Sequence, residues 1–192
     1  MIRILDLIGR PVLTIDEGAS TGKVSGVLVN SVTGEVTALV VALNDAFEPP
    51  RAVPVALVQG VGEDAVMIEN SSALVEFSQS PGLRAMGRLD SQIRGLPVVA
   101  ATGKCLGHVA DLLINMETGR VEAYEVAQPA GAGAVGGAGD ARAEGAAGGL
   151  LPAAMVATIG RDAVIAAAGA ELRPMEERSR EGEGREAGGE RG

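Results

Sequence analysis

The chain has 192 residues, room for one ordinary domain or two small ones. Hydrophobic residues make up 46% and charged residues 21%, which excludes wholesale disorder; Phe47, Phe77 and Tyr124 are the only aromatics, which excludes a base-stacking platform. A net charge of -9 disfavours direct nucleic-acid contact, and one Cys with one His excludes both a disulfide framework and a Cys/His structural zinc site within the chain.

Taken in chain order, the N-terminus carries Asp6 where a signal peptide would be apolar, so it reads as the start of the fold. Pro11–Thr14 is the first expected strand. Val24–Asn30 and Glu35–Ala42 follow as a hairpin turning through Ser31-Val32-Thr33-Gly34, because Val- and Leu-rich runs flank a Gly able to take positive φ. After Pro54, Val55–Val58 reads as a short helical turn and Ala65–Glu69 as a closing strand. The turn-rich stretch Ser78-Gln79-Ser80-Pro81-Gly82 places a linker over Phe77–Leu89. A second hairpin is expected from Leu112–Asn115 and Arg120–Ala127 around Met116-Glu117-Thr118-Gly119. Residues 129–149 are nearly all Gly and Ala and are expected to form a mobile surface loop, while the Glu/Arg/Gly tail from Glu176 onward is expected to be disordered. The longest uncharged window, 145–160, holds 16 residues including Pro152, short of the roughly 20 apolar residues of a spanning helix. No membrane insertion is expected, and a free Cys105 without an export signal points to a reducing cytoplasm.

An internal repeat organises these elements. Residues 22–42 and 107–127 match at ten of 21 positions, among them Gly22/Gly107, Asn30/Asn115, Thr33/Thr118 and Gly34/Gly119. Gly9-Arg10-Pro11-Val12 faces Gly95-Leu96-Pro97-Val98 at an offset of 86, and Gly62-Glu63-Asp64-Ala65-Val66 faces Gly160-Arg161-Asp162-Ala163-Val164 at 98. The second copy therefore carries 13 extra residues after its hairpin. Unit one (1–76) has a net charge of -6, the linker (77–89) +2, unit two (90–175) -3 and the tail (176–192) -2, so the acidity belongs to the folded units.

Gly9-Arg10-Pro11-Val12, Gly22-Lys23-Val24, the Thr33-Gly34 turn, Val53-Pro54 and Gly62-Glu63-Asp64-Ala65-Val66 together resemble the PRC-barrel domain. Unit two resembles it more closely, through Gly107-His108-Val109-Ala110-Asp111-Leu112-Leu113-Ile114-Asn115 and Thr118-Gly119-Arg120-Val121. The resemblance implies an all-β protein with two small barrels in tandem and non-catalytic protein–protein contact. Relatives in that family include the cytoplasmic part of the photosynthetic reaction-centre H subunit and a domain of a ribosome-maturation factor. An accessory of electron-transport complexes at the membrane surface, or of ribosome assembly, is therefore an alternative to a general adapter. Unit one departs at Gly26, where unit two has Asp111.

Three motif matches are read against their context. Gly18-Ala19-Ser20-Thr21-Gly22 fits G-x-S-x-G, but it runs into a strand rather than a helix, and the only base, His108, belongs to the other unit. The same stretch nearly fits a phosphate loop, with Val24 where a Ser or Thr is needed. Gly131-Ala132-Gly133-Ala134-Val135-Gly136 fits a dinucleotide fingerprint only as a product of low complexity. His108 reads as a polar strand-start residue, Cys105 as a free thiol in a loop, and Asp64 with Asp162 as turn formers. No catalytic residue, metal or cofactor is expected. The candidate partner-binding residues lie on the second hairpin strand, where Thr37, Leu39 and Val40 replace Glu122, Tyr124 and Glu125: an apolar face for the other barrel, a second copy or an unidentified protein.

Overall fold

The computed structural model describes residues 1–45, 47–77, 87–128 and 148–174. The Gly131–Gly136 stretch, most of the 129–149 loop and the 176–192 tail lie outside them. In the first repeat, β1 (Ile2–Arg3) runs into one helical turn, α1 (Ile4–Leu7). There follow β2 (Pro11–Thr14), β3 (Ser20–Asn30), β4 (Val36–Leu43), β5 (Arg51–Pro54), β6 (Val58–Val61) and β7 (Val66–Ile68). The second repeat copies the order: β8 (Gly87–Leu89), α2 (Asp90–Ile93), β9 (Pro97–Ala100), β10 (Cys105–Asn115), β11 (Arg120–Ala127), β12 (Gly149–Pro152), β13 (Val156–Ile159) and β14 (Val164–Ala166), then β15 (Arg173–Pro174).

The protein is all-β in architecture, with one barrel-like sheet per repeat. In the first sheet the strand order is β5-β4-β3-β2-β7-β6, with β2 and β7 parallel. The two ends of that order, β5 and β6, are joined by a single 3-10 turn over Val55–Leu57, so the sheet curls until its ends approach. The second sheet repeats this with a 3-10 turn over Ala153–Met155 between β12 and β13.

The repeated sequence signature has local causes. The Asn30 side chain accepts from the amides of Val32 (2.9 Å) and Thr33 (3.2 Å), and Asn115 accepts from Glu117 (3.0 Å) and Thr118 (3.3 Å). Each loop then closes on a Gly of positive φ, Gly34 at 69° and Gly119 at 65°. At Gly22 and Gly107 a Cβ would collide with the carbonyl oxygens of Ala42 and Ala127, so the hairpin strands can approach there only without a side chain.

β3 and β10 begin earlier than the apolar runs suggest, at Ser20 and Cys105. Their polar first halves pair with β2 and β9, a ladder that needs no apolar alternation. Cys105 therefore stands on a strand opposite Val99 rather than in a loop. Further along, the registers slip at Ser25 and Ala110, and again opposite Leu28 and Leu113.

The two repeats share one core. A single cluster of buried side chains includes Ile4, Leu7, Val27, Leu39 and Val66 of the first and Ile93, Leu112, Tyr124, Leu151 and Val164 of the second. A small satellite of Leu28, Ala38, Val40 and Ala52 is covered by Val75, Phe77 and Leu89. Aliphatic side chains thus fill most of both interiors, with Tyr124 the one buried ring in the shared cluster.

Candidate interaction site

Each repeat sends its first strand onto the other. β1 pairs with β10 of the second repeat (Arg3 opposite Leu113), and β8 pairs with β3 of the first (Leu89 opposite Leu28). Because Arg3 and Leu89 differ by 86 and Leu28 and Leu113 by 85, these are equivalent contacts related by a local two-fold. The hairpin ends meet on that axis. Val36 donates its N–H to Gly119 O (2.7 Å), Val121 donates to Gly34 O (2.9 Å), and Arg120 pairs with Glu35 at 3.2 Å.

The equivalent junctions use different chemistry. Where β1 and α1 dock, Arg3 pairs with Glu125 at 2.6 Å. Asp111, buried beside them, accepts from the amides of Leu5 (3.2 Å) and Leu112 (2.8 Å). Where β8 and α2 dock, Leu89 packs on the satellite cluster containing Val40, and the buried Asp90 accepts from the Val27 amide at 2.8 Å. The other oxygen of Asp90 pairs with Arg94 at 2.8 Å. Gly26 makes room for this carboxylate, since a Cβ there would lie 3.3 Å from Asp90 Oδ1. Val27 and Leu112 are equivalent residues following the register slip, so both orphaned amides find a carboxylate, one from the docked turn and one from the strand itself. Burial pushes the Asp111 carboxyl above its usual value, against the lowering effects of its two backbone bonds and Arg94; Glu125 adds to the rise.

A groove of about 550 Å3 opens on one side of this junction. One wall is the Ser31–Gly34 turn of the first repeat and the other is β13 of the second, with Arg120 and Arg173 among its residues. All four residues of β13 line it. Side chains of a strand alternate between faces, so four successive lining residues mean that the groove runs along the strand's backbone edge. β13 pairs with β14 on one edge, and among the described residues no strand pairs with the other. Met116, equivalent to Ser31, packs against the main core, and the cavity it lines in the equivalent place takes in only Val61 of β6.

The residues singled out on the second hairpin strand fall in three places. Leu39 and Tyr124 have 0% and 1% of their surface exposed and belong to the shared core. Burial alone pushes the Tyr124 phenol up to about 12. Val40 lies in the satellite cluster, covered by Leu89 of the other repeat. Thr37 keeps part of its surface and donates its hydroxyl to Leu28 O at 3.2 Å. The change from Glu125 to Val40 therefore follows the change from Arg3 to Leu89 inside the chain. Comparing the repeats exposes Gly26/Asp111 and Val40/Glu125; the matching differences Ile4/Asp90 and Arg3/Leu89 are the missed signal.

Ser20 of the G-x-S-x-G match opens β3 opposite Leu13, with no strand-to-helix turn behind it. His108 is exposed on β10 between Pro97 and Ala127. The exposed Cys105 thiol lies 3.7 Å from Gly107 O. Among the described residues no group of three His, Cys, Asp or Glu side chains could hold a metal ion, and no helix is long and apolar enough to cross a membrane.

No curated protein matches the chain. The family model of the PRC-barrel domain matches it twice, over residues 1–75 and 87–173, the two units that the two-fold relates. The chain belongs to the PRC-barrel family and carries two tandem copies of the domain.

Proposed function

We propose that the protein is a non-enzymatic adapter that captures an extended segment of a partner protein by adding it to the free edge of β13. The carrying observation is the groove lined by every residue of that edge strand. A strand edge presents alternating N–H and C=O groups, and an extended peptide satisfies them with main-chain hydrogen bonds while neighbouring pockets read its side chains. Such binding needs no reactive group, which supports a non-catalytic role. The lining holds Arg173 and Arg120, the latter already paired with Glu35, against the single carboxylate of Glu122, a net positive wall in a protein of net charge -9 that favours a segment with carboxylate side chains. Both repeats contribute walls, so the site exists only in the paired state.

The test is selection of binders from a library of extended random 12-residue peptides displayed on phage, using the full chain. Ala157 lies at the register slip of β13 and has no partner residue on β14, so Ala157→Pro removes an edge donor without breaking a paired position. Gln59→Pro makes the equivalent change on β6. The expected result is enrichment of acidic peptides whose affinity falls at least tenfold in Ala157→Pro and is unchanged in Gln59→Pro. Binders equally affected by both variants, or by neither, overturn the proposal, as does a failure to enrich any peptide.

A further inference from the structure

We propose that the two junctions form a pairing code: each repeat's cleft accepts the other repeat's first strand and helical turn and rejects its own. The code is written at three places. On the axis, Glu35 of one repeat meets Arg120 of the other. On the docked strand, Arg3 meets Glu125, whereas its equivalent Leu89 packs on the cluster holding Val40. On the helical turn, Ile4 is apolar where the cleft supplies Asp111, whereas its equivalent Asp90 supplies the carboxylate where the cleft has Gly26.

The mismatched pairings fail in specific ways. If Arg3-Ile4 docked on its own repeat, the Val27 amide would lose its only carboxylate, and a guanidinium would land on the Val40 cluster. If Leu89-Asp90 docked on its own repeat, the Asp90 and Asp111 carboxylates would share one buried site while Glu125 faced a leucine. A like pair of repeats from two copies of the chain would also bring Glu35 against Glu35, or Arg120 against Arg120. Each mismatch is a repulsion or an orphaned buried group, so specificity is built against the alternatives as well as for the observed pairing. The partner that fits either repeat is therefore the other repeat, and the chain closes on itself rather than joining like to like with a second copy.

Two full-length variants of unchanged composition test this. The first exchanges only the docked residues, with the Arg94 that pairs with Asp90 and its equivalent Ile8: Arg3→Leu, Ile4→Asp, Ile8→Arg, Leu89→Arg, Asp90→Ile and Arg94→Ile. The second adds the cleft residues: Gly26→Asp, Val40→Glu, Asp111→Gly and Glu125→Val. The first is expected to melt about 10 °C below the parent, in line with a shift of a few degrees per kcal/mol in a chain of this size. The second is expected to recover to within about 3 °C, because every docked residue again meets its matching cleft. If the first variant melts with the parent, the segments carry no code. If the second melts as low as the first, or fails to fold, the clefts do not read these positions. Either result overturns the proposal.

Discussion

At the residue scale, the buried carboxylates carry most of the chemical individuality of the two repeats. Asp111 accepts two amide protons, yet burial still holds its carboxyl above the usual 3.8, with Arg94 opposing the rise and Glu125 adding to it. A raised carboxyl value means that the native state holds the proton more tightly than the unfolded chain. Stability from this group is fully present below the unfolded value and is lost as pH rises through the native one. Asp111→Asn does not titrate there. The melting temperature of the parent minus that of the variant should therefore fall as pH is raised from about 3 to about 6, by an amount set by the shift alone. Thermal melts of both proteins across that range check it; a constant or rising difference would show that the two amide bonds outweigh burial.

At the element scale, the hairpin turns show what was legible in the sequence. Asn30 and Asn115, Thr33 and Thr118, and Gly34 and Gly119 recur because an Asx-type turn needs those residue types at that spacing, a requirement met within five residues of chain. Asn30→Ala removes an acceptor used by two exposed amides and should cost about 1 kcal/mol. The corresponding fall in melting temperature is about 2–4 °C, readable by calorimetry. Asn30→Asp, which keeps the acceptor, should stay near the parent; equal losses in both variants would assign the effect elsewhere.

The docked strands were illegible for the opposite reason. β1 has two residues and β8 three, too short for any alternation to register, and their partners lie more than 50 residues away. The β13 edge was hidden too, since local sequence does not reveal which strand lacks a neighbour. Val40 and Leu39 look alike as apolar replacements in sequence. Only packing separates Leu39, an ordinary core residue, from Val40, whose cluster is covered in part by Leu89 of the other repeat.

At the scale of the whole molecule, the shared core and the crossed segments make the repeats mechanically dependent. Two barrels joined only by a tether would melt separately, each with its own amide-exchange rates. Here Ile93, fully buried in the common cluster, sits on a turn that belongs in sequence to the second repeat and rests against β3 of the first. Ile93→Ala leaves a cavity in the common cluster and should cost about 2–5 kcal/mol. The decisive readout is where the loss is felt. Hydrogen–deuterium exchange should accelerate in β3 and β4 of the first repeat together with β9 and β10 of the second, and calorimetry should still record one transition. Acceleration confined to residues 97–166, or a melt that splits into two steps, would mean that the junction is a contact between independent barrels and not part of the fold's cooperative unit.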